Sequence, residues 1–200
     1  MMLRLFKSIR QLSDEELMVL VRKDDDESAF DELYRRYARR LHGFFFRMLG
    51  GDAEQAADFI QEVFLRLWSF RERYKVGSAV SPWLFTFAYN LCRNEYRQRA
   101  LWVEETMEDE NGVEEPLFEE DYEQRLDDEE FDRALMAELE RMTPERRMLF
   151  ALRFEEELTV RQIAEIMGVA EGTIKSRAPS GVDLMRYGVS ISRKPSLSRN

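Results

Sequence analysis

An all-α protein, two small helical domains joined by an acidic flexible linker, is predicted by three features of the 200-residue sequence. Apolar residues recur at three- and four-residue intervals along most of the chain, with no strand-like alternation and no internal repeat. Charged residues make up 35% of it, against about 25% in an average globular chain, which suits short helices with solvated outer faces. That charge is also unevenly placed. Residues 101–132 hold sixteen Asp and Glu and one basic residue, Arg125, whereas the other 168 residues carry 29 Lys and Arg against 24 Asp and Glu. An insert of net charge −15 thus separates two mildly basic parts, the pattern of a polyanion-binding protein with an acidic tether. The expected division is a first domain over 1–100, a linker over 101–128, a second domain over 129–187 and a tail over 188–200.

The elements follow in order. Ser13-Asp14-Glu15-Glu16 opens like a capping box, the Ser13 hydroxyl meeting an early amide and Glu16 reaching back. From Phe30, the residues Leu33, Tyr34, Tyr37, Leu41, Phe44 and Met48 keep helical spacing, with Arg35, Arg36, Arg39 and Arg40 on the other face. Gly50-Gly51 breaks the chain before a helix whose stripe runs from Ala56 through Phe59, Ile60, Val63, Phe64 and Leu67. Arg71 to Ser81 is polar and reads as a loop. Ser81-Pro82 then starts a helix, Ser as cap and Pro at the first position, that ends among Arg93, Arg97 and Arg99. Residues 104–128 lack sustained periodicity and contain Asn111-Gly112 and Pro116, a flexible linker. Helical spacing resumes at Phe131, Leu135, Leu139 and Met142, and Thr143-Pro144 caps the next helix. A last helix pair is divided by Gly168-Val169-Ala170.

Several classes of function are excluded. No apolar run approaches the roughly 18 residues of a membrane span, and Arg4, Lys7 and Arg10 interrupt the N-terminal apolar stretch. A single cysteine, Cys92, permits no internal disulfide, and a single histidine, His42, leaves no His/Cys cluster for zinc. The chain reads as cytoplasmic, without membrane insertion, metal or cofactor.

Two constellations carry function. From Leu158 to Arg177, a short helix with Val160, Ile163, Ala164 and Met167 inward meets a three-residue turn. A second helix follows with Ile174 inward and Thr173, Lys175, Ser176 and Arg177 largely outward. This is helix-turn-helix spacing, and the outward face is hydroxyl-rich and cationic, favouring a DNA major groove over an ordinary αα-hairpin. In the first domain, thirteen of the 24 aromatic residues lie between Phe44 and Tyr96, and residues 66–99 carry six Arg and one Lys against two Glu. Rings beside cations suit single-stranded nucleic acid. Phe59, Phe64 and Phe87 fall on apolar stripes and are assigned to the core; Tyr74, Trp83 and Tyr96 border polar segments and stand open between core and stacking surface.

These residues carry a resemblance. The run Asp58 to Trp68, then Ser81 to Asn90 with Arg93-Asn94, resembles regions 2.2 to 2.4 of bacterial sigma factors. Leu158 to Gly168 with Glu171 to Arg177 resembles region 4.2. With no central domain, the chain is similar to the extracytoplasmic-function (ECF) class. The resemblance implies a non-enzymatic protein, with no catalytic residues, that binds core RNA polymerase and promoter DNA, duplex at −35 and single-stranded at −10, and is commonly held by an anti-sigma factor. It assigns polymerase binding to Asp58, Gln61, Glu62 and Phe64. The −10 element falls to Arg71, Arg73, Tyr74, Lys75 and Trp83 around the base-capturing loop, and to Asn90, Arg93, Asn94 and Arg97 on the following helix. The −35 element falls to Glu171, Thr173, Lys175, Ser176, Arg177 and Ser180. Unstacking a base costs a few kcal/mol, so the resemblance requires stacking and phosphate contacts to offset it. Family members continue the recognition helix with an apolar or aromatic residue and an Arg, where this chain has Ala178-Pro179-Ser180-Gly181. Pro179 disfavours helix geometry there, so a short helix over Glu171–Arg177 is expected. The rival reading is a stand-alone two-domain helix-turn-helix regulator, against which the Asp58–Trp68 run argues.

Overall fold

The computed structural model describes residues 8–106 and 141–177, with side chains over 8–99 and 141–177. Among the described residues every regular element is helical. The first unit comprises α1 (Asp14–Asp24), α2 (Glu27–Met48), α3 (Ala53–Phe70) and α4 (Val80–Thr106); the second comprises α5 (Pro144–Phe150), α6 (Val160–Met167) and α7 (Glu171–Arg177).

Local chemistry sets the helix starts. Ser13 accepts from the Glu16 amide at 3.1 Å while Glu16 accepts from the Ser13 amide at 2.7 Å, the reciprocal cap expected for α1. Asp26 and Asp52 do the same work for α2 and α3, accepting from Ala29 and Gln55 amides at 3.1 and 2.9 Å. Thr143 and Thr159 cap α5 and α6. Gly168 ends α6 at φ 68°, a left-handed conformation that a Cβ would strain.

α2 packs between α1 and α3, and α4 closes the unit against α3. Large rings fill the space between them: Phe44 lies edge-on to both Phe45 and Phe85 at 5.6 and 5.5 Å, all three fully buried. A polar network ties α1 to α2 on the same unit. Asp14 receives Arg36 at 2.7 Å and the Tyr37 hydroxyl at 2.5 Å, and Glu32 receives Arg35 at 2.6 Å and Arg36 at 2.8 Å. These bonds, Arg35's first, hold the Glu32 carboxyl at about 2, well below its usual 4.5.

Two expected boundaries move. α4 starts at Val80, not after a Ser81 cap, so Pro82 sits within the first turn, where its missing amide would have had no intrahelical partner anyway. The same helix continues to Thr106, past the boundary expected at 100. Tyr96 settles as a packing residue: its hydroxyl donates to the Met48 carbonyl at the end of α2. The first six residues of the linker expected over 101–128 are thus helical; its remainder, the helical spacing from Phe131 to Leu139 and the break at Ala178–Gly181, with Ser180, lie outside the described residues.

Candidate nucleic-acid interface

The loop between α3 and α4 is built on rings. α3 runs into a single 3-10 turn, Arg71–Arg73, and the chain returns through Tyr74 to α4. Phe70, the last residue of α3, stacks on Phe87 of α4 at 6.1 Å and 27°. Phe87 meets Trp83 edge-on at 5.0 Å, and Trp83 leans on Tyr74 at 5.4 Å. Phe70, Trp83 and Phe87 are half-buried, so their outer edges face solvent, and the Arg73 guanidinium lies 4.8 Å over the Phe70 ring. A cation over a partly exposed stacked pair is a surface on which an unpaired base can stack while its phosphate meets the cation.

Two expected contacts are corrected here. Tyr74 is 1% exposed and its hydroxyl donates to the Ser78 carbonyl, while burial pushes its pKa up to about 12. It shapes the loop rather than offering a face. Arg71 is engaged as well: it bonds Asp25 at 2.7 Å and the Trp68 carbonyl at 2.8 Å, and lies 4.6 Å over the Trp68 ring. Arg73 and Lys75 remain exposed. Conversely, Phe87, assigned to the core from its place on an apolar stripe, belongs to the half-exposed ladder. Phe70 was in no expected set; its signal was its position next to a cation-rich loop at a helix end.

Further along α4, Arg93, Asn94 and Arg97 are exposed and Asn90 half-buried, all within two turns. Neither Arg93 nor Arg97 has a carboxylate partner among the described residues, and Arg93 lies 5.9 Å from the centre of the Tyr89 ring. These cations are therefore available to phosphates.

A second surface lies on the same unit, between α2 and α3. Phe64, 3% exposed, forms the floor of an open groove of about 540 Å³, edge-on to Phe30 at 5.8 Å and tilted against Tyr34 at 4.7 Å. Leu65 and Tyr34 rise from it at 62% and 43% exposure, and Glu27 and Asp31 line its rim. Gln61 also lines the groove and Asp58 is exposed nearby on α3, but Glu62 is paired with Arg66 at 2.7 Å. Sequence reasoning missed Leu65, because a leucine beside an apolar stripe reads as core.

In the second unit, α6 packs on α7 with Ile163 and Ile174 at 0 and 2% exposure. Thr173 is half-buried; Glu171, Lys175, Ser176 and Arg177 are exposed along α7, as the helix-turn-helix spacing predicts. Arg177 approaches Glu145 of α5 at 3.9 Å, an exposed pair worth little.

The family model for Sigma-70 region 2 matches residues 33–101, and that for Sigma-70 region 4 matches residues 132–178. The chain is 33% identical over 158 residues to the ECF RNA polymerase sigma factor SigL of Mycobacterium tuberculosis, covering 77% of this chain and 85% of the relative. It is 30% identical over 165 residues to the RNA polymerase sigma factor CarQ of Myxococcus xanthus, covering 82% and 91%. The chain belongs to the ECF sigma factors of the sigma-70 family. The fold agrees: the sigma factor RpoE of Bartonella quintana, solved in complex with the anti-sigma factor NepR, superposes with a TM-score of 0.59 at 23% identity, covering 79% of this chain and 93% of that one.

As an ECF sigma factor, the molecule carries its region 2 on α2 to α4 and its region 4 on α5 to α7. The region 2 boundaries enclose the aromatic ladder and, of the groove, Tyr34 and its α3 wall, while Glu27, Phe30 and Asp31 precede them. No helix among the described residues is long and apolar enough to cross a membrane, and none of their carboxylates, histidines or thiols group as a metal site.

Proposed function

We propose that this ECF sigma factor confers promoter specificity on core RNA polymerase through three separate surfaces. The α2–α3 groove docks the polymerase, with Leu65 and Tyr34 as apolar contacts, Phe64 as their floor and Asp58 and Gln61 beside them. An exposed apolar residue on a groove with an acidic rim suits a partner helix whose apolar face is flanked by basic residues. The aromatic ladder of Phe70, Phe87 and Trp83, with Arg73 and Lys75, holds an unpaired base of the −10 element. Asn90, Arg93, Asn94 and Arg97 carry its flanking phosphates and base edges. On α7, Thr173, Lys175, Ser176 and Arg177 read the −35 duplex from the major groove.

The observation that carries this reading is the conjunction, within region 2, of half-exposed stacked rings and arginines without carboxylate partners. The protein supplies recognition and strand separation while the polymerase supplies the chemistry of RNA synthesis, so no catalytic step falls to its own side chains. Acting with core polymerase, it would work in the cytoplasm. The anti-sigma complexes of its structural relatives support a comparable inhibitor for this chain.

Run-off transcription with core polymerase on a promoter library tests the assignment. Discrete start sites that appear only with this protein are expected. Sequence-specific DNA binding by the protein alone, with no transcript when core polymerase is added, would favour a stand-alone regulator instead.

A further inference from the structure

Three large apolar side chains stand exposed among the described residues, and the proposed polymerase docking uses two of them, Tyr34 and Leu65. The third, Val76, is 48% exposed in the loop between α3 and α4 and does not line the α2–α3 groove. Single exposed apolar residues are common on protein surfaces. What sets Val76 apart is how firmly it is held, and beside what.

The tip of the loop is braced. The Ser78 amide donates to the Lys75 carbonyl at 3.0 Å, closing a four-residue turn with Val76 and Gly77 at its centre. Gly77 takes φ 86°, a value that the third position of a type II turn adopts and that a side chain would strain. The Tyr74 hydroxyl donates to the Ser78 carbonyl, and its ring leans on Trp83 at 5.4 Å. Tyr74 therefore fastens the turn to the ring ladder. Val76, β-branched and stiff at χ1, is presented beside that ladder from a fixed backbone.

The polar groups around it are one-sided. Arg73 and Lys75, exposed on either side of Tyr74, offer hydrogen-bond donors and no acceptor. Glu72, the single carboxylate of residues 71–79, lies 3.7 Å from Arg22 of α1. A base held on the ladder thus meets donors and an apolar edge. Cytosine and adenine present exocyclic amino donors, for which the rim offers no acceptor side chain beyond Glu72. Guanine and thymine present carbonyl acceptors, and thymine alone adds a C5 methyl group.

We propose that Val76 is a specificity-determining residue that selects thymine, through its methyl group, as the unpaired base held on the ladder. This rests on the base-capturing role proposed for Phe70, Trp83 and Phe87, and adds which base is held and by which side chain. The ring faces supply affinity without discrimination, since every base has a π face. An apolar side chain against the methyl group supplies the discrimination, and the braced turn supplies it with little ordering cost.

The test uses the full chain bound to core RNA polymerase. The probes are five single-stranded 9-mers, abasic at every position except the central one, which carries thymine, uracil, cytosine, adenine or guanine. A fully abasic 9-mer is the reference, and all affinities are compared at one salt concentration. Thymine should bind most tightly, with uracil about fourfold weaker, the worth of one buried methyl group. Val76→Ser should bring thymine down to the uracil affinity and leave uracil unchanged, whereas Val76→Ile should keep the preference. An unaltered protein that binds thymine and uracil equally would overturn thymine selection. So would a Val76→Ser protein that keeps the preference, or tightest binding of another base, and either leaves base capture standing. Five affinities equal to that of the abasic strand would overturn base capture itself, so the two failures are separately visible.

Discussion

The two units of this protein are stabilised in different ways, and the difference matches what each presents to a partner. In the first, rings such as Phe44, Phe45 and Phe85 fill a shared core, and the Asp14, Glu32 and Arg36 network pins α1 to α2. That unit can leave Phe70, Phe87 and Leu65 partly exposed, because its stability rests elsewhere. The second unit is built from short helices around mostly aliphatic side chains, among them Leu149, Leu152, Ile163, Ile166 and Ile174, with Phe150 the one buried ring among its described residues. It relies on caps at Thr143, Thr159 and Gly168, and on the buried Glu156 carboxylate that it places against Arg40 of α2. A thick aromatic core supports an exposed aromatic surface; a thin aliphatic one supports a single reading helix and leans on its neighbour.

The largest effect that would break this contrast is in the first core. Phe44→Ala, at a fully buried ring, is expected to cost about 3–5 kcal/mol in chemical denaturation. A cost below about 1 kcal/mol would mean that the rings do not form one core.

Acid should act chiefly on the first unit. Glu32 is held at about 2 against an ordinary 4.5, so its stabilising effect is present above 4.5 and is lost as pH falls toward 2. Glu155 and Glu156 are shifted the other way: burial pushes both carboxyls up, outweighing Arg47 and Arg40, the cations that face them. Desolvation of the two carboxylates thus offsets part of the attraction that Arg47 and Arg40 supply. Thermal melts across this range should lose first-unit stability in acid, a loss that Glu32→Gln flattens.

Smaller effects belong to the second unit. Thr159→Ala removes the hydroxyl that caps α6 and should cost about 1 kcal/mol, read as an earlier melt of that unit. Glu157→Gly should do the reverse by relieving a left-handed residue with a side chain, a gain of roughly 1 kcal/mol.

Much of this was legible in the sequence, for reasons that particular residues illustrate. The Ser13–Glu16 box and the Gly168 turn are local signals, and helices follow wherever their caps and stripes agree. Exposure on α7 also followed from spacing, since Ile174 alone anchors that helix. Periodicity assigns a face but not what covers it. Phe87 lies on an apolar stripe yet is half-exposed, because Phe70 at the end of α3 stacks on it instead of a third layer. Tyr74, in a polar loop, is buried because its hydroxyl closes that loop on Ser78. The Glu156–Arg40 contact spans 116 residues, and no local pattern reports a pairing of that range.

The division of labour between the two units is the central claim, and core polymerase titrated against labelled full-length protein tests it most directly. Leu65→Asp, at a site 62% exposed, should leave stability within about 0.5 kcal/mol. Its polymerase affinity should fall about 30-fold, the loss of a docking anchor worth roughly 2 kcal/mol. Lys175→Ala, exposed on α7, should bind polymerase as the unaltered protein does. Equal affinity for all three proteins would contradict the assignment of the α2–α3 groove to polymerase docking.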